Sequence, residues 1–268
     1  MPHNRRRSRI TRVLVYNVES LKMKKTLVPT ILALLACLIT CASVRTKPGL
    51  SASQDKSDEA AVNRYLRALE SDAKDHAATD GLKRVIDRPN PVSDGLDRRV
   101  REILRQYARV EKISLVNDGE AGEKLSVKGT VRSVGGEPVA AAVIYVFQTD
   151  AQGYYTRASV MNEPNARLFG YLKTDEHGHF EFSTIRPGGY PGRTDRQGEQ
   201  WRIPEHIHFQ ITAPGYQFRN FQMVFADDPR MTPYWHDWAK RGNHVVVKVT
   251  RTDDGSQEAV CDVVLQPQ

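Results

Sequence analysis

The sequence predicts an all-β protein, an antiparallel β-sandwich preceded by two short helices. Three observations carry that prediction. Downstream of Arg109 the chain becomes a series of short runs rich in β-branched and aromatic residues, separated by Gly, Pro, Asn and Asp, which is the texture of a sandwich. Upstream of Arg109, two stretches place apolar residues at helical spacing instead. The β region, residues 110–268, is of a size that forms one domain with its own core.

Residues 1–41 read as a basic leader and signal peptide. Arg5, Arg6, Arg7, Arg9 and Arg12 precede Met23, the expected start, and Lys24-Lys25 lead into an uncharged run from Thr26 to Thr40. A basic region followed by an apolar run of this length is too short for a membrane span and fits a secretory signal. Leu38-Ile39-Thr40-Cys41 resembles a bacterial lipoprotein cleavage site and is favoured over Leu34-Leu35-Ala36-Cys37. The alternative is that both cysteines are small apolar members of an ordinary signal. The mature protein is thus expected to be exported, either periplasmic or membrane-anchored through a lipidated Cys41.

The leader also accounts for the charge. Residues 1–40 hold eight basic groups and one acid, Glu19, which is the whole formal net charge of +7. The remainder is close to neutral and carries no basic patch interleaved with aromatics, so the pI of about 9.3 does not point to nucleic acid. Of the 3 cysteines only Cys261 lies beyond the leader, which excludes an intrachain disulfide framework there.

Residues 42–56, poor in apolar side chains, read as a flexible tether. Residues 57–109 form the helical segment. Ser57-Asp58-Glu59 opens a first helix with Val62, Tyr65, Leu66 and Leu69 on one face. A second, with Asp94 as N-cap, aligns Leu96, Val100, Ile103, Leu104 and Tyr107 and turns Arg98, Arg99, Arg101 and Arg105 outward. Arg88-Pro89-Asn90-Pro91 breaks the chain between them. Helices this short need a partner surface. Strands are expected around Leu125–Val131, Ala142–Val146, Phe180–Phe182, Ile207–Ile211, Phe218–Phe225, Val245–Val249 and Val260–Leu265.

The chemistry concentrates between Gly153 and Phe209. In a strand, residues two apart share a face, so His206 and His208 emerge together while Ile207 and Phe209 face the other way. Two adjacent imidazoles can chelate one ion. A His-x-His alone is more often a surface pair, but Tyr154-Tyr155 and Tyr190 stand in the same stretch. Phenolate oxygen is a hard anionic donor that favours a ferric centre, so two Tyr with two His suggest iron(III).

The wording of these segments resembles the intradiol ring-cleavage dioxygenases, most closely the iron-bearing beta subunit of the protocatechuate 3,4-dioxygenases. The resemblance runs through Gly129-Thr130-Val131, Gly136-Glu137-Pro138-Val139, Asp150 to Tyr155, Arg167-Leu168-Phe169-Gly170, Thr174 to Gly178, Thr184 to Pro191 and His206 to Phe209. It implies a non-haem Fe(III) bound by Tyr155, Tyr190, His206 and His208. It also implies a reaction that opens a catechol-type aromatic between its two hydroxylated carbons with O2, giving a cis,cis-muconate-type diacid, with Tyr190 taking a substrate proton.

Three departures mark this chain. The family's Trp-Arg-Pro-x-His run here reads Trp201-Arg202-Ile203-Pro204-Glu205-His206, with Ile203 looking inserted; Arg202 is expected to reach the substrate if Ile203 bulges out. Gly192 stands where the protocatechuate enzymes have Trp, which predicts a wider pocket. The choice of Tyr155 over Tyr154 rests on spacing alone. Gln222 matches a polar family position near the iron, with a surface glutamine as the plain alternative. His177, His179, His236 and His244 are read as surface or loop residues, and Trp235 and Trp238 as core or pocket-mouth residues.

The expected partners are a small aromatic diol and O2, without nucleic acid, in a homodimer. The rival function is a non-catalytic exported sandwich, transthyretin-like or carboxypeptidase-regulatory-like, that binds or spaces. A third is a sandwich that binds a metal or aromatic without turnover.

Overall fold

The computed structural model describes residues 52–268, apart from Pro89, Pro91, 158–162, 195–197 and Glu199. The leader, Met23, Cys37 and Cys41 lie outside the described residues, as does the tether up to Ser51.

Three helices come first: α1 (Ala52–Ser71), α2 (His76–Ile86) and α3 (Asp94–Gln106). Helix α1 starts five residues inside the stretch read as a tether, helped by Asp55 in its first turn. Helix α2 was not anticipated. Asp75 caps it by accepting from Ala78 N at 2.9 Å, and Ala78 and Leu82 add to a small core with Val62, Leu69, Leu96, Val100 and Ile103. The N-cap of α3 is Ser93, whose hydroxyl accepts from Leu96 N at 3.3 Å, so Asp94 is the first helical residue.

The α3 arginines do not form one solvated face. Arg101 is pulled under the helix: it pairs with Asp97 at 2.7 Å and donates to Ala166 O at 3.0 Å. Its guanidinium lies 4.0 Å from the Phe169 ring. A guanidinium is weakly hydrated and stacks on aromatic faces, which makes it the cation best suited to such a position.

The remainder is mostly sheet. The strands are β1 (Ile113–Ser114), β2 (Lys124–Ser133), β3 (Val143–Gln148), β4 (Leu168–Lys173), β5 (His179–Ile185), β6 (Tyr190–Thr194), β7 (Gln200–Ile203), β8 (His206–Thr212) and β9 (Arg219–Phe225). After α4 (Pro233–Arg241) come β10 (Val245–Val247), β11 (Val249–Arg251), β12 (Gln257–Val260) and β13 (Val263–Leu265). A six-stranded sheet runs β1-β5-β2-β12-β11, with β13 also on β2; a five-stranded sheet runs β10-β9-β8-β3-β4; β6 and β7 form a separate ribbon.

The sheets are mixed, not purely antiparallel. The hairpin-linked pairs are antiparallel, but β1 with β5, β10 with β9, and both β12 and β13 with β2 run parallel. The β9–β10 connection contains α4, the long crossover that parallel neighbours require. Alternation cannot report this, because the side-chain period of two is the same in either orientation.

The two sheets share one core. Leu125, Val127, Phe180 and Phe182 of one meet Ile144, Val146, Ile207, Phe209 and Met223 of the other. The opposite face of the five-stranded sheet carries Tyr145, Phe147, Phe169 and Tyr171, beside the two histidines of β8.

Arg101→Met is expected to lower unfolding free energy by about 2 kcal/mol, through the lost ring contact and buried hydrogen bonds. Arg98→Ala, at an exposed site, should stay within about 0.5 kcal/mol. Urea denaturation of the two variants makes the comparison.

Candidate metal centre

Three segments converge on the outer face of the five-stranded sheet. Strand β8 supplies His206 and His208, because Ile207 and Phe209 are committed to the core on its other side. A turn after β3 supplies Tyr155. Asp150 organises that turn, accepting on its carboxylate from Gln152 N (3.0 Å) and Tyr154 N (2.9 Å). Gly153 allows it, with φ of 89°.

The third segment, 187–190, is stitched to this turn. Gly188 N donates to Asp150 O at 2.7 Å and the Thr149 hydroxyl donates to Gly188 O at 2.8 Å. A Cβ on Gly153 would lie 2.8 Å from Gly189 O, so the two loops pack backbone to backbone and bring Tyr155 against Tyr190. Arg167 holds the assembly from behind, bonding Asp150 at 3.2 Å and Glu120 at 2.7 Å.

The polar tips meet in a dry spot. Tyr155 is 0% exposed, Tyr190 7%, His206 3% and His208 7%. Tyr155 Oη lies 2.7 Å from His208 Nε2, 3.1 Å from His206 Nε2 and 3.4 Å from Tyr190 Oη, and the two Nε2 atoms are 3.1 Å apart. Tyr154, its neighbour, is 43% exposed.

Proton counting explains what such a cluster suits. His206 Nδ1 lies 2.7 Å from Pro204 O, a pure acceptor, so Nδ1 carries the proton and Nε2 offers a lone pair toward the cluster. The single Tyr155 proton cannot serve both imidazoles. Burial pushes the His206 pKa down to about 4 and His208 lower still, and pushes the phenols of Tyr155 and Tyr190 up. Neutral donors with converging lone pairs fit a cation. Among the described residues no three His, Cys, Asp or Glu side chains gather to hold a metal, so a metal here must take phenol oxygens as donors.

The other predicted residues fall differently. Gln222 stands directly across from His208 in the β8–β9 register, on the same face of the sheet, with Phe147 across on β3 and stacked on the His208 ring at 4.3 Å. Arg202 is exposed and is not brought to the cluster. Ile203 does not bulge out: it pairs with Tyr190 in the β6–β7 ladder and packs against the tyrosine cluster, which leaves Arg202 opposite Pro191.

Ile203 also closes the space that Gly192 seemed to open. A Cβ on Gly192 would lie 2.9 Å from Ile203 Cδ1. The small residue and the additional one are therefore a matched pair, and the wall beside Tyr190 is aliphatic instead of absent. Gly192 therefore leaves no open gap on the side that Ile203 fills.

One residue read as ordinary proves to be placed beside the site. His244 Nδ1 accepts from Gln222 N at 2.9 Å and stacks on Trp238 at 4.0 Å. Trp238 belongs to a string of ring contacts with Trp235, Tyr234 and Trp201. Nothing in local spacing ties His244 to β9, because the parallel β9–β10 pairing that does so spans a helix.

Phenols and imidazoles gathered about one buried point make a donor set suited to a metal, and comparison with known proteins places the chain in a family. The model of the family described as Dioxygenase matches residues 105–267, and this chain belongs to the intradiol ring-cleavage dioxygenase family. It is 40% identical over 111 residues to 6-chlorohydroxyquinol 1,2-dioxygenase of Cupriavidus pinatubonensis, covering 38% of this chain and 40% of that protein. To the protocatechuate 3,4-dioxygenase beta chain of Burkholderia cepacia it is 36% identical over 120 residues, 42% and 50% of the two chains. To catechol 1,2-dioxygenase 2 of Acinetobacter lwoffii it is 30% identical over 188 residues, 65% and 60%. The chain spans about half the length of the curated relatives it matches.

Metal-free protein should lose stability in mild acid. The unfolded chain protonates its histidines below their ordinary value of 6.5, whereas folded His206 resists until about 4, so the unfolded state binds more protons across that window. His206 alone predicts a loss of about 3 kcal/mol by pH 4. Denaturant midpoints of the metal-free protein between pH 7 and 4 should fall accordingly, and the His206→Asn/His208→Asn double variant should show a flatter dependence.

Proposed function

We propose that this chain is a non-haem Fe(III) intradiol dioxygenase that inserts O2 between the two hydroxylated carbons of a catechol-type aromatic, giving a cis,cis-muconate-type diacid. We read the two facing sheets as the β-sandwich scaffold of that enzyme class. The observation that carries the proposal is the meeting of Tyr155, Tyr190, His206 and His208 within 3.4 Å of Tyr155 Oη or less, in a chain of this family. These four residues would hold the iron. When bound, the ferric ion supplies the positive charge that favours loss of the diol protons and activates the ring toward O2.

The protein's own part is positioning and proton handling. The Pro204 carbonyl fixes the His206 ring, and Phe147 lies flat on His208 with an interplanar angle of 5°. Burial keeps both imidazoles neutral and available as ligands. Tyr190 sits at the first position of the β6–β7 ribbon, outside the two main sheets. It is therefore the phenol with more freedom to leave its neighbours and accept a proton from a bound diol. Ile203 presents a hydrocarbon wall to the ring, and Gln222 offers an amide on the same face. With Arg202 turned outward, a carboxylated ring gains no cation from it, which favours uncharged or alkyl-substituted catechols over protocatechuate.

Iron-loaded protein should be coloured by tyrosinate-to-iron charge transfer and should consume O2 with a simple catechol without added reductant. Tyr155→Phe, His206→Ala and His208→Ala should each lose both iron and colour, whereas Tyr154→Phe keeps them. Tyr190→Phe should retain part of the iron yet slow ring opening by about 10²- to 10⁴-fold, the usual worth of a positioned proton acceptor. Coloured, iron-loaded protein with no O2 uptake across catechol, hydroxyquinol and alkylcatechols would favour a binding module instead.

Ile203→Ala should raise the preference for a bulkier alkylcatechol over catechol by about tenfold in kcat/KM, the scale of a methylene or two in an apolar pocket. Gly192→Ala should destabilise the chain alone and be tolerated with Ile203→Ala, a coupling that a double-mutant cycle measures.

A further inference from the structure

Strand β9 carries Gln222 on the face of the tyrosine–histidine cluster, directly across from His208. On its other side, strand pairing does not reach this residue. The parallel neighbour β10 begins only at Val245, opposite Met223, and the acceptor for the Gln222 backbone is a side chain: Gln222 N donates to His244 Nδ1 at 2.9 Å. In an antiparallel pair the N–H and C=O of one residue leave the strand on the same side. An N–H turned toward His244 therefore makes Gln222 and His208 a non-hydrogen-bonded pair, the arrangement in which facing side chains come closest.

The His244 ring sits in a fitted seat. It lies on Trp238 of α4, with centroids 4.0 Å apart and planes at 19°, and the His244 backbone N–H donates to Ala239 O at 2.8 Å. A Cβ on Gly242 would run into Nε2 and Cδ2 of the ring, so the helix must end on glycine for the imidazole to fit. A ring that accepts at Nδ1 is neutral, with its proton on Nε2. Burial, with Arg219 nearby, pushes its pKa down and keeps it so. The half-buried Gln222 side chain makes no hydrogen bond of its own among the described residues, which leaves its amide for a ligand on that face.

We infer that His244 is a positioning residue: by accepting from the Gln222 backbone where β10 supplies no carbonyl, it fixes the Gln222 amide beside His208 for contact with a diol bound at the cluster. The diol rests on the dioxygenase reading above; the His244–Gln222 bond does not. Two substitutions separate the two properties of the ring. Phenylalanine keeps the stack on Trp238 and loses the acceptor, whereas asparagine places Oδ1 where Nδ1 was and loses the stack.

The test uses the full chain, metal-free for the bond and iron-loaded for the role. In metal-free wild-type protein the Gln222 amide should exchange its hydrogen as slowly as its β9 neighbours; exchange at the rate of a free loop amide would overturn the inference without any variant. His244→Phe should speed that exchange by about tenfold and His244→Asn should restore it. In iron-loaded protein, His244→Phe should lower kcat/KM for catechol by about 10- to 100-fold, the scale of a group misplaced by about an ångström. His244→Asn should recover most of the loss, and His244→Phe added to Gln222→Ala should cost nothing further, since it acts through Gln222. Effects that multiply in the double variant, or equal losses in His244→Asn and His244→Phe, would mean that the ring serves packing alone and would overturn the inference. Absence of O2 uptake by the wild-type chain would sink the dioxygenase reading and the diol contact with it, whereas normal uptake with an unaffected His244→Phe variant would sink the positioning role alone.

Discussion

The tyrosine–histidine cluster depends first on the register of β8. His206 and His208 point away from the core only because Ile207 and Phe209 fill it, with Phe209 stacked on Phe221 at 5.0 Å and against Phe182 at 5.9 Å. A slip of one residue would drive both imidazoles into that aromatic core and expose Ile207 and Phe209. The cost of burying two imidazoles without partners, together with the lost apolar burial, fixes the strand. The core thus aims the site, although none of its side chains belongs to it.

The corner that precedes β8 is locked by charge. Asp228 accepts from Glu205 N at 2.6 Å and from Arg230 N at 2.8 Å, and Arg186 joins Glu205 to Asp227. The Arg230 guanidinium lies against Gly189, where a Cβ would come within 3.1 Å of it. The same network therefore touches the residue before Tyr190 and the residue before His206. Partly buried charges that satisfy one another in this way specify a geometry more than they add stability.

Much of the site was legible because its signals are local. Period-two alternation separated His206 and His208 from Ile207 and Phe209, and motif spacing picked out Tyr155 and Tyr190, although the turn at Gly153 that carries Tyr155 is seen only in the structure. What was not legible depends on pairings between distant segments. The parallel strands, the approach of His244 to β9 and the matching of Ile203 to Gly192 all depend on cross-strand register, which no window of sequence contains. Arg101 shows another limit: its place on the helix looks solvated until the Phe169 face beneath it is known. Helix α2 was obscured by the weak apolar signal of a segment whose buried positions include Ala78, Thr79 and Gly81.

The parallel pairing of β12 and β13 with β2 also sets an order of events during synthesis. Strand β2 lies mid-sheet, yet its neighbours on one side are residues 257–260 and 263–265, and Thr130 N donates to Asp262 at 2.9 Å. Those partners are translated some 130 residues later, after both tyrosines and both histidines of the site. The six-stranded sheet therefore cannot close while they remain in the ribosome, and until then β2 presents an unpaired edge. Contacts of such sequence separation form slowly, so the nascent chain must carry its exposed strand until residues 257–265 have emerged, before the core beneath the tyrosine–histidine cluster can set.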